Sequence, residues 1–246
     1  MKLIKLDAID STNDFLKALS SRDELANFTV VTAENQTKGK GQMGSKWESE
    51  SGKNLIMSVL VKDFIPENEQ VFNLSLIVSL SVIQVLKSLN IPDLSIKWPN
   101  DIMSYNKKIG GILIENTIKS DGRIVSVVGL GLNVNQTNFD ELPHASSLAV
   151  ILGNTLEKEI LPELIIEKIK EKIDSWSVSA SIFWDDYFHS LFRKGIPMPF
   201  KNLDLNAGVQ NFMGIIQGVS SIGKLQVLLE DDSVSEFDIK EVQMLY

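Results

Sequence analysis

No cysteine occurs among the 246 residues. The fold must therefore hold by burial and hydrogen bonding alone, with no disulfide, thiolate zinc site, iron–sulfur cluster or cysteine nucleophile. The length suits one to two domains and a core that needs no staple. Histidine occurs only at His144 and His189, so a multi-histidine metal centre cannot form within one chain. Basic residues number 24 and acidic residues 32, a net charge of −8. That balance argues against a chain built to coat nucleic acid or an anionic membrane. The opening Met1–Asp7 meets an acid too early for a secretory signal. No apolar run approaches the ~18 residues of a membrane span. The expectation is a cytoplasmic protein with no DNA or membrane partner.

Hydrophobic periodicity divides the chain. Ser11-Thr12-Asn13-Asp14 reads as a helix start, with a capping hydroxyl and an acid three residues on. Val71, Leu74, Ile77 or Val78, Val82, Val85 and Leu89 recur at helical spacing and predict a buried-face helix over about 68–89. A second helix is expected over about 157–176, with Ile166, Ile169, Ile173 and Trp176 on one face. Strands are expected at Val30-Val31, Asn54–Val61, Ile96–Trp98, Ile109–Glu115 and Ile124–Val134, the last two joined by a turn at Ser120-Asp121-Gly122. Gln36–Lys53 shows no apolar period and reads as a long loop. Gly195-Ile-Pro-Met-Pro199 reads as a linker. Beyond it, Gly214–Val219, Leu225–Leu229 and part of Asp238–Leu245 read as short strands of a small β domain. Residues 201–246 hold three basic and seven acidic side chains, so this segment carries −4 of the total.

Four stretches could carry chemistry. In Gln36–Trp47, three glycines (Gly39, Gly41, Gly44) let backbone N–H groups converge on an anion, and Lys38, Lys40 and Lys46 stand without an acid among them. Glycine–lysine loops are also common as plain solvated loops. Lys97-Trp98-Pro99-Asn100-Asp101 sets a cation, an indole, a rigid turn, an amide and a carboxylate side by side; Asn100 can bond a base or phosphate and Asp101 can hold magnesium. Its bland reading is a turn beside a core tryptophan. Lys108-Ile-Gly-Gly111 puts a lysine at the mouth of an apolar strand, followed by glycines that admit a ligand close to the backbone. Gly129-Leu-Gly-Leu-Asn133 leaves one strand face bare and ends in an amide. Gly218–Lys224 has phosphate-loop spacing, but Leu225 stands where a hydroxyl is required and a strand follows, so it reads as a hairpin turn. No serine lies in a nucleophile elbow.

Taken together and in this order, Ser11-Thr12-Asn13, Gln36–Trp47, Lys97–Asp101, Lys108–Leu113 and Gly129–Asn133 resemble the biotin–protein ligases, from about residue 7 to 135. The resemblance implies an α+β fold: a mixed sheet with flanking helices of the class II synthetase-like kind, in a catalytic domain over 1–194, and a small SH3-like β-barrel over 195–246. It implies that biotin and ATP give biotinyl-adenylate and pyrophosphate, and that a lysine of a biotin carboxyl carrier domain then takes the biotin. It implies Lys108 as the central cation, with Lys97 and Lys40 on phosphate oxygens and Mg2+ on the nucleotide or at Asp101. Ser11, Thr12, Asn13, Gln36, Lys40, Gly41, Gln42, Lys108 and Gly111 would meet biotin. Gly39, Lys40, Trp47, Lys97, Asn100 and Asn133 would meet ATP or the adenylate. The Ser-Thr-Asn motif begins at residue 11, so a preceding DNA-binding segment and repressor activity are not expected; a homodimer is one assembly to expect.

The closest rival is a lipoate or octanoate ligase or transferase of the same broad fold. A rival of another class is a non-catalytic biotin or nucleotide sensor, which needs no cation at a bond-forming centre. A soluble α+β domain of other role is the bland alternative. One departure stands out. Family loops often alternate glycine with arginine, whereas Lys40, Gln42 and Ser45 stand at such places here. Lysine lacks arginine's bidentate fork, and Gln42 lacks the charge altogether. Unless Lys38 or Lys46 compensates, the adenylate should be held loosely. Incubated with biotin and ATP but no acceptor, the Gln42→Arg variant should release less free adenylate than the parent; equal retention would remove the idea.

Overall fold

The computed structural model describes residues 2–65, 71–203 and 211–246. The expected helix start at 68 falls outside them. Seven strands form one mixed sheet in the order β1-β2-β3-β7-β6-β5-β4. They are β1 (Leu3–Ile9), β2 (Val30–Gln36), β3 (Leu55–Lys62), β4 (Leu94–Lys97), β5 (Asp101–Ser104), β6 (Lys107–Ile118) and β7 (Ile124–Leu132). Among the described strands of this sheet, only β1 and β2 pair with each other in parallel, Leu3 beside Val30 and Ile9 beside Gln36, because α1 (Thr12–Arg22) carries the chain between them. Ser11 caps that helix as expected, its hydroxyl accepting the Asp14 N–H at 3.3 Å. The crossover brings the end of β1, the start of α1 and the end of β2 to one rim of the sheet.

β3 is buried at every position except Lys62, so both its faces are covered. Leu16 of α1 packs with Val31, Leu60 and Val127 on one face. On the other lie α2 (Val71–Ser88) and α4 (Leu161–Ser190). By length and composition α2 could cross a membrane, contrary to the expectation that no apolar run comes near a span. Ser79 and Ser81 interrupt the run, but their hydroxyls turn back onto the Ser75 and Ile77 carbonyls, so the helix surface stays apolar. In this structure most of α2 lies inside the protein core.

α4 departs from its expected span. It starts at Leu161, after a 3-10 turn at Lys158–Ile160, and runs on past 176 to Ser190. Beyond the serines at 175, 177, 179 and 181, Phe183 stacks on Trp176, and Trp184, Tyr187 and Phe188 continue the packed face around Phe72 and one another. A short α3 (Leu148–Leu152), capped by Ser147, was not anticipated.

The second sheet is antiparallel, ordered β11-β10-β9-β8-β12. Its strands are β8 (Pro197–Asn202), β9 (Asn211–Val219), β10 (Leu225–Leu229), β11 (Val234–Phe237) and β12 (Val242–Met244). The expected linker at Gly195–Pro199 is therefore partly strand. Pro197 and Pro199 precede the Phe200–Asn202 stretch that pairs with β12, so their missing N–H groups cost no ladder bond there. The Gly218–Lys224 segment is the expected hairpin turn between β9 and β10. Phe200, Ile216, Val219, Leu225 and Val227 join the same apolar cluster as α2 and α4. Trp98 adds a polar tie, its indole donating to the Gly223 carbonyl at 2.9 Å.

Tyr187 is fully buried at that junction, and its hydroxyl meets no acceptor among the described residues. Burial accordingly pushes its ionisation far above the ordinary range. An unsatisfied buried hydroxyl costs free energy that a plain ring does not. Tyr187→Phe should raise unfolding stability by about 1 kcal/mol, read as a higher urea midpoint; a lower midpoint would mean the hydroxyl has a partner in solution.

Candidate active site

A cavity of about 240 Å3 opens at the rim where α1 begins, walled by β3, β6 and β7 and covered by the glycine-rich loop. Ser11, Thr12, Asn13, Gln36, Lys40, Gly41, Gln42, Trp47, Asn100, Asp101, Lys108 and Gly111 all line it. Gly39, Lys97 and Asn133 are not among its lining residues.

The floor is a hydrogen-bonded set. Gln36 Oε1 accepts both the Thr12 N–H at 2.7 Å and the Thr12 hydroxyl at 3.0 Å, which fixes the amide with its NH2 end free of these bonds. Ser58 Oγ lies 2.8 Å from Thr12 Oγ1 and 2.6 Å from Asn13 Oδ1. Asn13 Nδ2 donates to Glu115 Oε2 at 3.0 Å and reaches the Leu113 carbonyl at 3.4 Å. Asn13 is thus engaged on both ends and acts as a strut. Sequence reasoning missed Ser58 and Glu115. A signal for the first was present: Ser58 is the one hydroxyl in the otherwise apolar run Leu55–Val61.

β7 leaves room for this set. A Cβ on Gly129 would lie 2.5 Å from Asn13 Oδ1, and one on Gly131 would lie 2.4 to 2.8 Å from three indole atoms of Trp47. A Cβ on Gly111 would make only ordinary contacts, at 3.5 Å. Among protein atoms the close approaches are thus at Gly129 and Gly131, while Gly111 stays on the open cavity wall. The Trp47 N–H is buried against Gly131 and finds no acceptor among the described residues.

Asp101 organises the cations. Its Oδ1 sits 2.6 Å from Lys108 Nζ and its Oδ2 sits 3.6 Å from Lys97 Nζ. A protein-held magnesium does not fit here: both carboxylate oxygens face ammonium groups, and no cluster of three acidic or histidine ligands exists among the described residues. Asn100 is engaged too, its amide donating to the Ile112 carbonyl at 2.6 Å. Asn133 lies apart from the cavity, buried, with its amide on the Ser146 carbonyl at 3.0 Å.

The loop expected to be irregular is a closed hairpin. Trp47 N–H bonds the Gly39 carbonyl at 3.0 Å, Gly41 N–H bonds the Ser45 carbonyl at 2.7 Å, and Lys40 bridges Lys46. Met43 and Gly44 turn its tip with φ of 54° and 83°. A Cβ on Gly39 would strike the Trp47 carbonyl at 2.2 Å, which explains that glycine as a neck residue. The loop's positive charge is partly answered from outside it. Lys38 pairs with Asp10 at 2.7 Å and Lys40 with Asp14 at 2.6 Å. The hydrogen bonds to these acids hold both lysines above the ordinary ammonium range, and the bond from Lys38 holds Asp10 below the usual carboxylate range. Lys46 lines the cavity. From the turn between β11 and β12, Lys240 Nζ donates to the Met43 carbonyl at 2.8 Å.

Residues 6–135 match the biotin/lipoate A/B protein ligase family. The chain belongs to that family. Among its relatives, the bifunctional ligase/repressor BirA of Salmonella typhimurium is 29% identical over 231 residues, 93% of this chain and 69% of that protein. The biotin–[acetyl-CoA-carboxylase] ligase of Mycobacterium tuberculosis is 27% identical, over 87% of this chain and 79% of that one. Of solved structures, the biotin protein ligase of Aquifex aeolicus in complex with biotin and ATP superposes with a TM-score of 0.79 at 27% identity, covering 99% of this chain and 98% of that chain. The mixed sheet with flanking helices and the small C-terminal β unit are thus the ligase family's fold.

The steric reading of β7 yields a ligand-free test. Gly131→Ala should expel the Trp47 indole and red-shift tryptophan emission, while Gly111→Ala leaves the spectrum in place. Identical spectra for the two variants would overturn the packing described.

Proposed function

We propose that this chain is a biotin–protein ligase, which activates biotin with ATP and transfers it to a lysine of a biotin carboxyl carrier domain. The observation that carries the proposal is one cavity that joins a polar floor to the Lys108–Asp101 pair, in a fold that matches an Aquifex ligase solved with biotin and ATP along nearly its whole length.

In the first step a biotin carboxylate oxygen attacks the α-phosphorus of ATP, an acyl–phosphate bond forms and pyrophosphate leaves. Both reactants are anionic, so cations must offset their repulsion and the charge that grows in the transition state. Lys108 is the cation on the cavity wall for that task, and Lys97, across Asp101, faces the phosphate side. Thr12 and Gln36 orient the ring head of biotin, and the Trp47 indole walls the cavity beside Lys108. The hairpin loop covers the cavity and keeps water from a reactive mixed anhydride. In the second step the neutral amine of the carrier lysine attacks the acyl carbon, AMP leaves with the bonding electrons and the amine loses a proton. Magnesium, where required, enters with the phosphates of the substrate. A cytoplasmic location, with neither DNA nor membrane as partner, belongs to the same proposal.

Biotin-dependent exchange of pyrophosphate into ATP should be measurable without any acceptor. Lys108→Ala should slow it by about 10²-fold or more, the scale of losing one preorganised charge at the transition state, with biotin affinity nearly unchanged. Loss of affinity alone would favour a sensor. Lipoate binding without biotin binding in calorimetry would favour the lipoate branch of the family.

A further inference from the structure

We infer that Tyr246, beyond the end of β12, is a positioning residue for the Lys97 ammonium. This rests on the reading of Lys97 as a phosphate-facing cation.

Asp101 is an unequal partner. Its short contact is to Lys108, and Lys97 keeps only the longer one at 3.6 Å. One carboxylate therefore cannot fix both ammonium groups equally well. Lys97 also has an aromatic contact: its Nζ lies 4.9 Å from the centroid of the Tyr246 ring. An aromatic face attracts a cation through its quadrupole. It orients the ammonium without neutralising it, whereas a second carboxylate would cancel the charge that the phosphates need. A cation aimed at polyanionic substrate is better held by a ring than by an acid.

The ring is itself well held. Phe192 meets it edge-on at 5.0 Å between centroids and His144 does so at 5.7 Å. The Arg193 guanidinium lies 5.9 Å from the same ring and 5.5 Å from that of Phe192. The Leu245 N–H bonds the Pro199 carbonyl at 3.0 Å, and Val242–Met244 is in register with Phe200–Asn202. Lys97 is tied to the same frame, since the Phe192 N–H bonds the carbonyl of its neighbour Ile96 at 2.9 Å. Ring and cation thus hang from one rigid junction between the two sheets. Arg193, whose guanidinium also meets the ring, is a cation and so offers Lys97 no ion pair.

The test is a coupling cycle on biotin-dependent ATP–pyrophosphate exchange in the full chain. Tyr246→Leu should lower kcat/KM for ATP by about tenfold, the scale of a partly desolvated cation–π contact, while KM for biotin stays put. Tyr246→Phe should restore the rate to within about twofold, because the face is retained. In a Lys97→Gln background, Tyr246→Leu should add no further loss. Replacing Tyr246 by trifluorophenylalanine, which drains the ring face at nearly constant shape, should reproduce most of the leucine loss even if the leucine variant folds poorly. Equal losses with and without Lys97, a phenylalanine variant as slow as leucine, or an unaffected trifluoro variant would each overturn the inference. A parent protein with no biotin-dependent exchange would instead sink the ligase reading, and this inference with it.

Discussion

One carboxylate facing two ammonium groups is the contact on which the site depends. Asp101, at the start of β5, has only 15% of its side chain exposed, and Lys108 and Lys97 bracket it. The trio carries a net positive charge in a protein whose overall charge is −8. Without the acid, two lysines in a half-buried wall would repel each other and desolvate at a cost. One acid between two lysines offsets their mutual repulsion and still leaves a formal surplus for an anion. The antiparallel pairing of β4, β5 and β6 supports this directly. It sets Lys97 opposite Asp101 and Asp101 opposite Gly111, with Lys108 one bulge away.

The opposite wall depends on absent side chains. Gly129 and Gly131 alternate on β7, and each leaves a methyl-sized gap that another element fills: Asn13 from α1 and Trp47 from the loop. Space on a strand face thereby becomes position for a strut and a lid residue. The strut then passes order along the floor, through Ser58 to Thr12 and from Thr12 to Gln36. The ordered motifs of the sequence converge because two glycines let them.

Much of this was legible residue by residue, and what was not has a physical reason. Ser11 announced a cap because capping is local chemistry. The helical stripe from Val71 to Leu89 announced α2 because burial has a period. Gly129-Leu-Gly-Leu announced a bare strand face, though not which side chains would occupy it. Asp14 and Asp10 answer Lys40 and Lys38 from other elements, so a count of charge within the loop overstated its field. The second helix was expected to stop at about 176, where the counted apolar stripe ends at Trp176, but it runs on to Ser190 because aromatic residues beyond the serines pack against the core. Tyr246 lies 149 positions from Lys97 in the chain, and no local pattern joins them.

The ion pairs of the site differ in how readily they can be broken. The Lys38–Asp10 pair leaves 75% and 58% of its side chains exposed, and the Lys40–Asp14 pair leaves 47% of each. Pairs so exposed contribute about 0–1 kcal/mol, and salt weakens them. A ligand anion can therefore take Lys40 from Asp14 at little cost, and the loop can change partners as the cavity fills. The Asp101 pairs are more enclosed, and breaking one would strand a charge. The loop tip adds a third kind of restraint, one hydrogen bond from Lys240 to a backbone carbonyl, which constrains the turn without consuming any of the lysines inside it. Wall cations that stay and lid cations that can be exchanged are what two anions need if they are to enter, react under cover and leave. The same difference explains why the acids beside the loop stand on α1 and the end of β1: there they hold the lid when the cavity is empty without lying in the path of the phosphates.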